Sequence, residues 1–564
     1  MPILRSEVRR GAYYDSVVLM QLQRGLLGLP GVLDAGAVMA TPVNLELLDA
    51  SGLRPEEATS PDDLLIVVKA DNERAALDAL AQVDSLLARR RLAAAESEFR
   101  PRSLDAAARQ LPAASWVLVS VPGRFAAGVA RDALGLGKNV FLYSDNVSIE
   151  DEIELKREAG ARGLVVMGPD CGTAIIGGIG FGFANRVRRG AIGLVAASGT
   201  GLQAVTTAIH ALGGGVSQAI GTGGRDLHGE VGGLTAHQAL DVLRRDPETG
   251  VIVLISKPPQ PKVAVRLAGA ARHCGKPVVL SLIGEASLRG ALGNLHFAAD
   301  LEDAAEIAVE LSLSSPAAVS RPEPAPGPAR YLRALFSGGT LAYETVLALQ
   351  YVLDPLHTNV PLHSRQRLDD PLQSRSHTIL DLGADTFTVG RLHPMIDNDL
   401  RLRRLRQEAA DPETSVILLD VVLGEGAHAD PASELAPAIA EALGRPDLAV
   451  VVVLVGTQDD PQGMESQVER LSTAGALVFA GLRRALDAVV ERLPAGPGNW
   501  PPAVPLDAFR SPAAINVGLE TFYESLAAQG APAVHVEWRP PAGGDEHLMG
   551  ILAKMKAGQS RQAR

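Results

Sequence analysis

Only two of the 564 residues are cysteine, Cys171 and Cys274. That is too few for a disulfide framework, and the pair cannot form a zinc site alone. The twelve histidines show no HxH or HExxH spacing, so no metal is expected. Aromatic residues make up 4% of the chain. The formal charge is −12 and the longest run of lysine and arginine is Arg89-Arg90-Arg91, which argues against a nucleic-acid groove, because phosphate backbones demand clustered cations. The apolar runs, such as VIVLI from Val251 and AVVVVLV from Ala449, fall far short of a membrane span and read as buried strands. The opening MPILRSEVRRG carries no apolar signal core, and a cytoplasmic protein with reduced thiols is expected. What is abundant is Ala, Gly, Val and Leu, a composition suited to parallel sheets covered by Ala-rich helices. At this length several α/β domains are expected.

The chain states one phrase twice. RRDPETGVIVLI ends at Ile255 and ADPETSVILLD ends at Asp420, with Asp246 and Asp411 165 positions apart. The same offset carries His228 onto His393, each after a leucine. Upstream, each copy opens with a strand, a small-residue turn and a helix: AASGTGLQAV from Ala196 and FSGGTLAYETV from Phe336. A Gly/Ser/Thr turn that opens a helix leaves amides unpaired at the positive end of the helix dipole. Ser198, Gly199, Thr200 and Gly201, with Ser337, Gly338, Gly339 and Thr340, are therefore the candidate phosphate ligands, two turns that together hold one anion. For either turn alone the ordinary alternative is a capped helix. Neither has a Walker lysine, so nucleotide binding is not implied.

Six segments follow from the composition. Residues 1–100 alternate strand and helix as a small α+β domain, and 101–190 read as a parallel βαβαβ run. Residues 191–313 and 331–493 hold the two copies, separated by the Pro-rich linker 314–330. A tail, 506–564, with a helix near 517–528 and a strand 533–538, is too small to fold well alone and is expected to dock.

Ligands of such sheets bind beyond the carboxyl ends of the strands. There the sequence places Asp170 and Cys171 in GPDCGT, with Asp170 a candidate to orient substrate and Cys171 a small turn residue without a nucleophilic role. It also places Gly223, Arg225, Asp226 and His228 in one copy, and Asp385, Arg391 and His393 in the other. Arg clamps carboxylate or phosphate, and His transfers protons near neutrality. Glu425 and His428 follow the next strand. Asp170, His228, His393 and Glu425 are the catalytic candidates; Cys171, Gly223, Arg225, Asp226, Asp385 and Arg391 are candidates for substrate binding.

The order GPDCGT, IGLVAASGTGLQAV, IGTGGRD, RRDPETGVIVLI resembles the α subunit of succinyl-CoA synthetase and the ADP-forming acyl-CoA synthetases, and residues 331–493 resemble the matching ligase domain of the β subunit. With Tyr14-Asp15-Ser16 and the tail INVGLETFYESLAAQG, the whole chain is similar to the FdrA family. The resemblance implies a Rossmann-like domain and two flavodoxin-like ligase domains, with the helices opening at Ser198 and Ser337 standing for the two helices that point at a phosphohistidine. Segment 278–293 contains no histidine, Ser256-Lys257-Pro258-Pro259 stands where a supporting glutamate is expected, and no ATP-grasp region or Gly-rich CoA-binding turn is present. CoA and ATP or ADP are thus left without their usual places, and phosphate or carbamoyl phosphate becomes the expected ligand. The resemblance implies a carbamoyltransferase subunit of purine-ureide breakdown, converting oxalurate and phosphate to oxamate and carbamoyl phosphate with companion subunits in an oligomer. The alternatives are an ADP-forming acyl-CoA synthetase and a non-catalytic scaffold.

Overall fold

The computed structural model describes residues 2–10, 12, 16–54, 59–60, 63–87, 100–282, 290–314, 330–493 and 500–540. Most of the linker 314–330, part of 278–293, and Tyr14-Asp15 lie outside them. The chain is a multidomain α/β protein that divides into two compact units: Met1–Val121 with Ala514–Ala527 and Pro532–Arg564, and Pro122–Ala513 with Ala528–Ala531.

In the first unit Leu64–Ala70 is the central strand of an antiparallel sheet, between Ile3–Arg9 and Val32–Met39. Side chains alternate across a strand, so Leu64, Ile66 and Val68 pack with Leu19, Leu22 and Leu26 of helix Ser16–Leu27. Leu65 and Val67 meet Leu48 of helix Pro42–Ala50 on the other face. Burial on both sides explains an uninterrupted apolar run. The tail segment adds two strands here: Ala514–Val517 pairs in parallel with Trp116–Val119 and with Ala533–Val536.

The second unit contains two parallel-dominated sheets. One has eight strands, in the order Gly290–Leu292, Leu295–Phe297, Val278–Leu282, Val251–Ser256, Arg189–Ala196, Val216–Gly221, Thr173–Ile176, Ile179–Gly182. The hairpin Thr173–Gly182 joins this sheet, although its sequence position suggests the preceding domain; Ile175 enters the core of Leu194 and Val253. The other has six strands, in the order Leu356–Thr358, His377–Asp381, Tyr331–Phe336, Thr414–Val422, Ala449–Val455, Leu477–Phe479.

His377 is buried at the start of its strand, and its Nδ1 accepts the Leu332 amide at 3.1 Å. Burial, aided by Arg333 and Arg272, lowers its pKa to about 3. The folded value lies below the unfolded one of about 6.5, so the stabilisation is complete above that pH and is lost as pH falls from there towards 3. Denaturant titrations at stepped pH are expected to show stability falling across this window. His377→Gln is expected to flatten that slope by up to about 1.4 kcal/mol per pH unit.

Candidate functional site

Read in chain order, the central strands of the eight-stranded sheet run 2-1-3-4-5, with Arg189–Ala196 first and Val251–Ser256 third. The direction of winding reverses between those two, where open α/β sheets form a ligand crevice. The turn at Ser198 stands there. Ser198 is extended, and its Oγ accepts the Gly201 amide at 3.1 Å, capping helix Gly199–Ala211. Gly199 and Thr200 are exposed. A Cβ on Gly201 would lie 2.9 Å from Ser198 Oγ and 3.3 Å from Ile255 Cγ2, so the helix start is pressed against the neighbouring strand. Ser198→Ala is expected to lower stability by about 1 kcal/mol, the usual value of a cap, measurable by urea denaturation.

GPDCGT lines the same edge. Asp170 is left-handed at φ 56, and its amide donates to Ser144 O at 3.1 Å. Gly223 has φ 89, and a Cβ there would stand 2.4 Å from Pro169 O; this close approach requires glycine. The Asp170 carboxylate lies 3.6 Å from the Cβ position of Gly224. Together with burial and Asp145 it raises the Tyr143 phenol, burial being the largest cause. Tyr143 stacks edge-on against the exposed Phe183, ring centres 5.4 Å apart. Sequence reasoning missed this aromatic pair, which follows a strand in a polar-looking loop. Cys171 is buried, and burial pushes its thiol up to about 12. Cys274 is buried as well. A chromogenic thiol reagent at neutral pH is expected to label neither cysteine in the folded protein and both after denaturation.

Asp226 turns inward. It receives Lys156 Nζ at 2.7 Å and the amides of Thr235 and Ala236 at 3.2 and 2.8 Å. Lys156 also reaches Glu152 at 2.8 Å and Thr222 O at 3.0 Å. Arg225 donates to Glu152 at 3.0 Å and to Val147 O at 2.8 Å. Two residues expected at substrate thus hold helix Leu234–Arg245 and the loop before it. His228 is exposed in that loop.

Without its edge strand Leu356–Thr358, the six-stranded sheet repeats that order, Tyr331–Phe336 lying between His377–Asp381 and Thr414–Val422. Its turn is different in chemistry. Ser337 is buried, and its amide and Oγ both donate to Asp420, at 2.8 and 2.7 Å. Arg401 bonds the same carboxylate at 3.1 Å. In the sequence repeat Asp420 matches Ile255, so an apolar wall in one crevice is a carboxylate in the other. A second carboxylate, Asp381, lies 3.0 Å from the Cβ position of Gly339 and accepts the Gly383 amide at 2.8 Å. Burial raises its pKa, with Asp420 adding to the rise and His393 opposing it. His393 is the sequence candidate brought into this crevice; Asp385, Arg391 and Glu425 are exposed around it. His428 Nε2 lies 3.4 Å from Glu434. The two turns are therefore unequal: one presents open amides, the other is already faced by two carboxylates. No hydrogen bond or ion pair among the described residues joins them.

The family described as CoA-ligase matches residues 335–491. One described as AllF, heavy metal-associated domain, matches residues 1–101. Those 101 residues contain neither cysteine nor histidine, so they lack the thiolate and imidazole ligands of a soft-metal site. Succinate--CoA ligase [ADP-forming] subunit alpha of Aquifex aeolicus (strain VF5) is 30% identical over 149 residues, 25% of this chain and 47% of that protein. The solved dinucleotide forming Acetyl-coenzyme A synthetase 1 of Ca. Korarchaeum cryptofilum, in complex with phosphate and ADP, is 18% identical. It covers 68% of this chain and 82% of its own, with a TM-score of 0.29. YahF of Escherichia coli (strain K12) is 41% identical over 494 residues, 84% of this chain and 95% of that protein. The chain belongs to the family of YahF, and its residues 335–491 match the CoA-ligase family.

Proposed function

We propose that the chain carries out acyl transfer of the ADP-forming acyl-CoA synthetase kind, with the anionic phosphate or acyl phosphate received at the Ser198 crevice. The observation that carries this reading is the pairing, in one polypeptide, of a CoA-ligase match over 335–491 with a 2-1-3-4-5 sheet whose first turn offers exposed Gly199 and Thr200 at a helix start. Unpaired amides preorganised for an oxyanion stabilise charge without reorganisation during reaction. Asp170 beside Tyr143 is the nearest candidate for orienting the acyl group and handling its proton. Asp381 and Asp420 leave the second turn a poor host for phosphate, and His393 beside Asp381 is the candidate proton carrier there.

A second reading is direct carbamoyl transfer between oxalurate and phosphate, giving oxamate and carbamoyl phosphate. It is favoured by Ser256-Lys257-Pro258-Pro259 at the strand end next to Ser198, where a phosphohistidine's glutamate would stand, and by a segment 278–293 without histidine. Companion subunits belong to either reading as a proposal.

The test supplies ATP, CoA and a panel of carboxylic acids in one arm, and carbamoyl phosphate with oxamate in the other. Phosphate release that needs both CoA and acid supports the first reading; CoA-independent consumption of carbamoyl phosphate replaces it with the second. Gly199→Asp places a carboxylate at the open amides, where a Cβ meets nothing nearer than Thr173 Oγ1 at 3.9 Å. It is expected to fold normally and to weaken phosphate binding about tenfold or more. Unchanged affinity sinks the assignment of the Ser198 turn.

A further inference from the structure

Within the second unit the two ligase domains enclose a cleft of about 770 Å³, inside the usual range for small-molecule sites. It is separate from both crevices. His377 lines it at the start of strand His377–Asp381, whereas Asp381 at the far end meets the Ser337 turn. Strand rise puts those ends about 13 Å apart.

The lining is rich in cations and poor in acids. Helix Pro261–Arg272 contributes Lys262, Arg266 and Arg272, the facing segment contributes Arg365, and Asp354 is the one lining carboxylate among the described residues. Arg272 donates to the carbonyls of Val352 at 3.4 Å and Val490 at 3.0 Å; burial brings it down to about 10. Among the described residues no ion pair joins any of these four cations to an acid. His273 leans on Gly269 O through Nδ1 at 2.6 Å, and its buried Nε2 has no partner among the described residues. Lys262, Arg266 and Arg365 are exposed and Arg272 is half-buried; four cations lining one space with a single acid suit an anion with many acceptor oxygens. The cleft is far larger than a phosphate ion needs, and Tyr351, Leu353 and Leu356 give it an apolar side.

We propose that this cleft binds a small organic polyphosphate, its phosphates held by Lys262, Arg266, Arg272 and Arg365 and its organic part lying against Tyr351 and Leu356. The proposal stands independently of acyl transfer at the Ser198 crevice.

The experiment is calorimetric titration of the full chain with ADP, pyrophosphate and citrate, repeated on the double variant Arg266→Gln/Arg365→Gln and on Gly199→Asp. Arg266 and Arg365 are exposed, so the double variant is expected to keep its fold; Arg272, which ties the two domains together, is left intact. The expected result is binding of ADP or pyrophosphate that weakens about tenfold or more in the double variant, the value of one charge-assisted hydrogen bond. Gly199→Asp, which blocks phosphate at the Ser198 turn, should lose only binding at that turn and keep the polyphosphate affinity of the cleft. Absence of polyphosphate binding, tighter binding of citrate, equal affinity in the double variant, or loss confined to Gly199→Asp each overturns it.

Discussion

Lys156→Met is expected to destabilise the second unit by about 3–5 kcal/mol, the range seen when one member of a buried ion cluster is removed. Lys156, Glu152 and Asp226 have fully buried side chains. The ammonium lies between the two carboxylates and also satisfies Thr222 O. Glu152 keeps Arg225 after the substitution, but Asp226 keeps only two backbone amides for a charge with no water around it. Urea unfolding of parent and variant measures the difference; a loss below about 1 kcal/mol would falsify the view of this cluster as a buried charge pair. Because Thr222 and Asp226 flank Gly223, the same variant should also loosen the GPDCGT edge and raise the KM for any substrate held there.

Asp420→Ala is expected to be nearly as damaging, again about 3–5 kcal/mol. It strips Arg401 of its carboxylate in a fully buried position and leaves the Ser337 amide and hydroxyl without their acceptor. The informative comparison is with Arg401→Met/Asp420→Leu, which removes both charges. Replacing a pair by apolar groups is often nearly neutral, so the double variant should be clearly more stable than Asp420→Ala in the same denaturant assay. If both lose the same amount, the charge is not what Asp420 contributes.

Much of the fold was readable because its signals are local. Parallel strands announced themselves as short apolar runs, and the turns at Ser198 and Ser337 as small residues between a strand and a helix. The repeat at Asp246 and Asp411 foretold one strand-turn-helix unit in each of two sheets. The site was less readable, because its chemistry depends on encounters across long separations. Lys156 sits in an ordinary charged helix, and only Asp226, 70 positions away, reveals it as a core residue. Asp420 lies near the end of an apolar strand, and its hold on Ser337 appears only when Thr414–Val422 lies beside Tyr331–Phe336. Arg225 and Asp226 have the residue types of a substrate clamp, yet folding uses both. Tyr143 gave no signal, since one tyrosine after a strand has many meanings.

The pairing of Ala514–Val517 with Trp116–Val119 has a consequence for biosynthesis. At about 5–20 residues per second, a ribosome needs roughly 20–80 s to travel from one strand to the other. Throughout that interval the Trp116 strand waits with an unsatisfied edge, the kind of surface that recruits neighbouring chains. A nascent chain arrested anywhere before Ala514 therefore carries an open template, and chaperone occupancy is expected to be longest on this early segment.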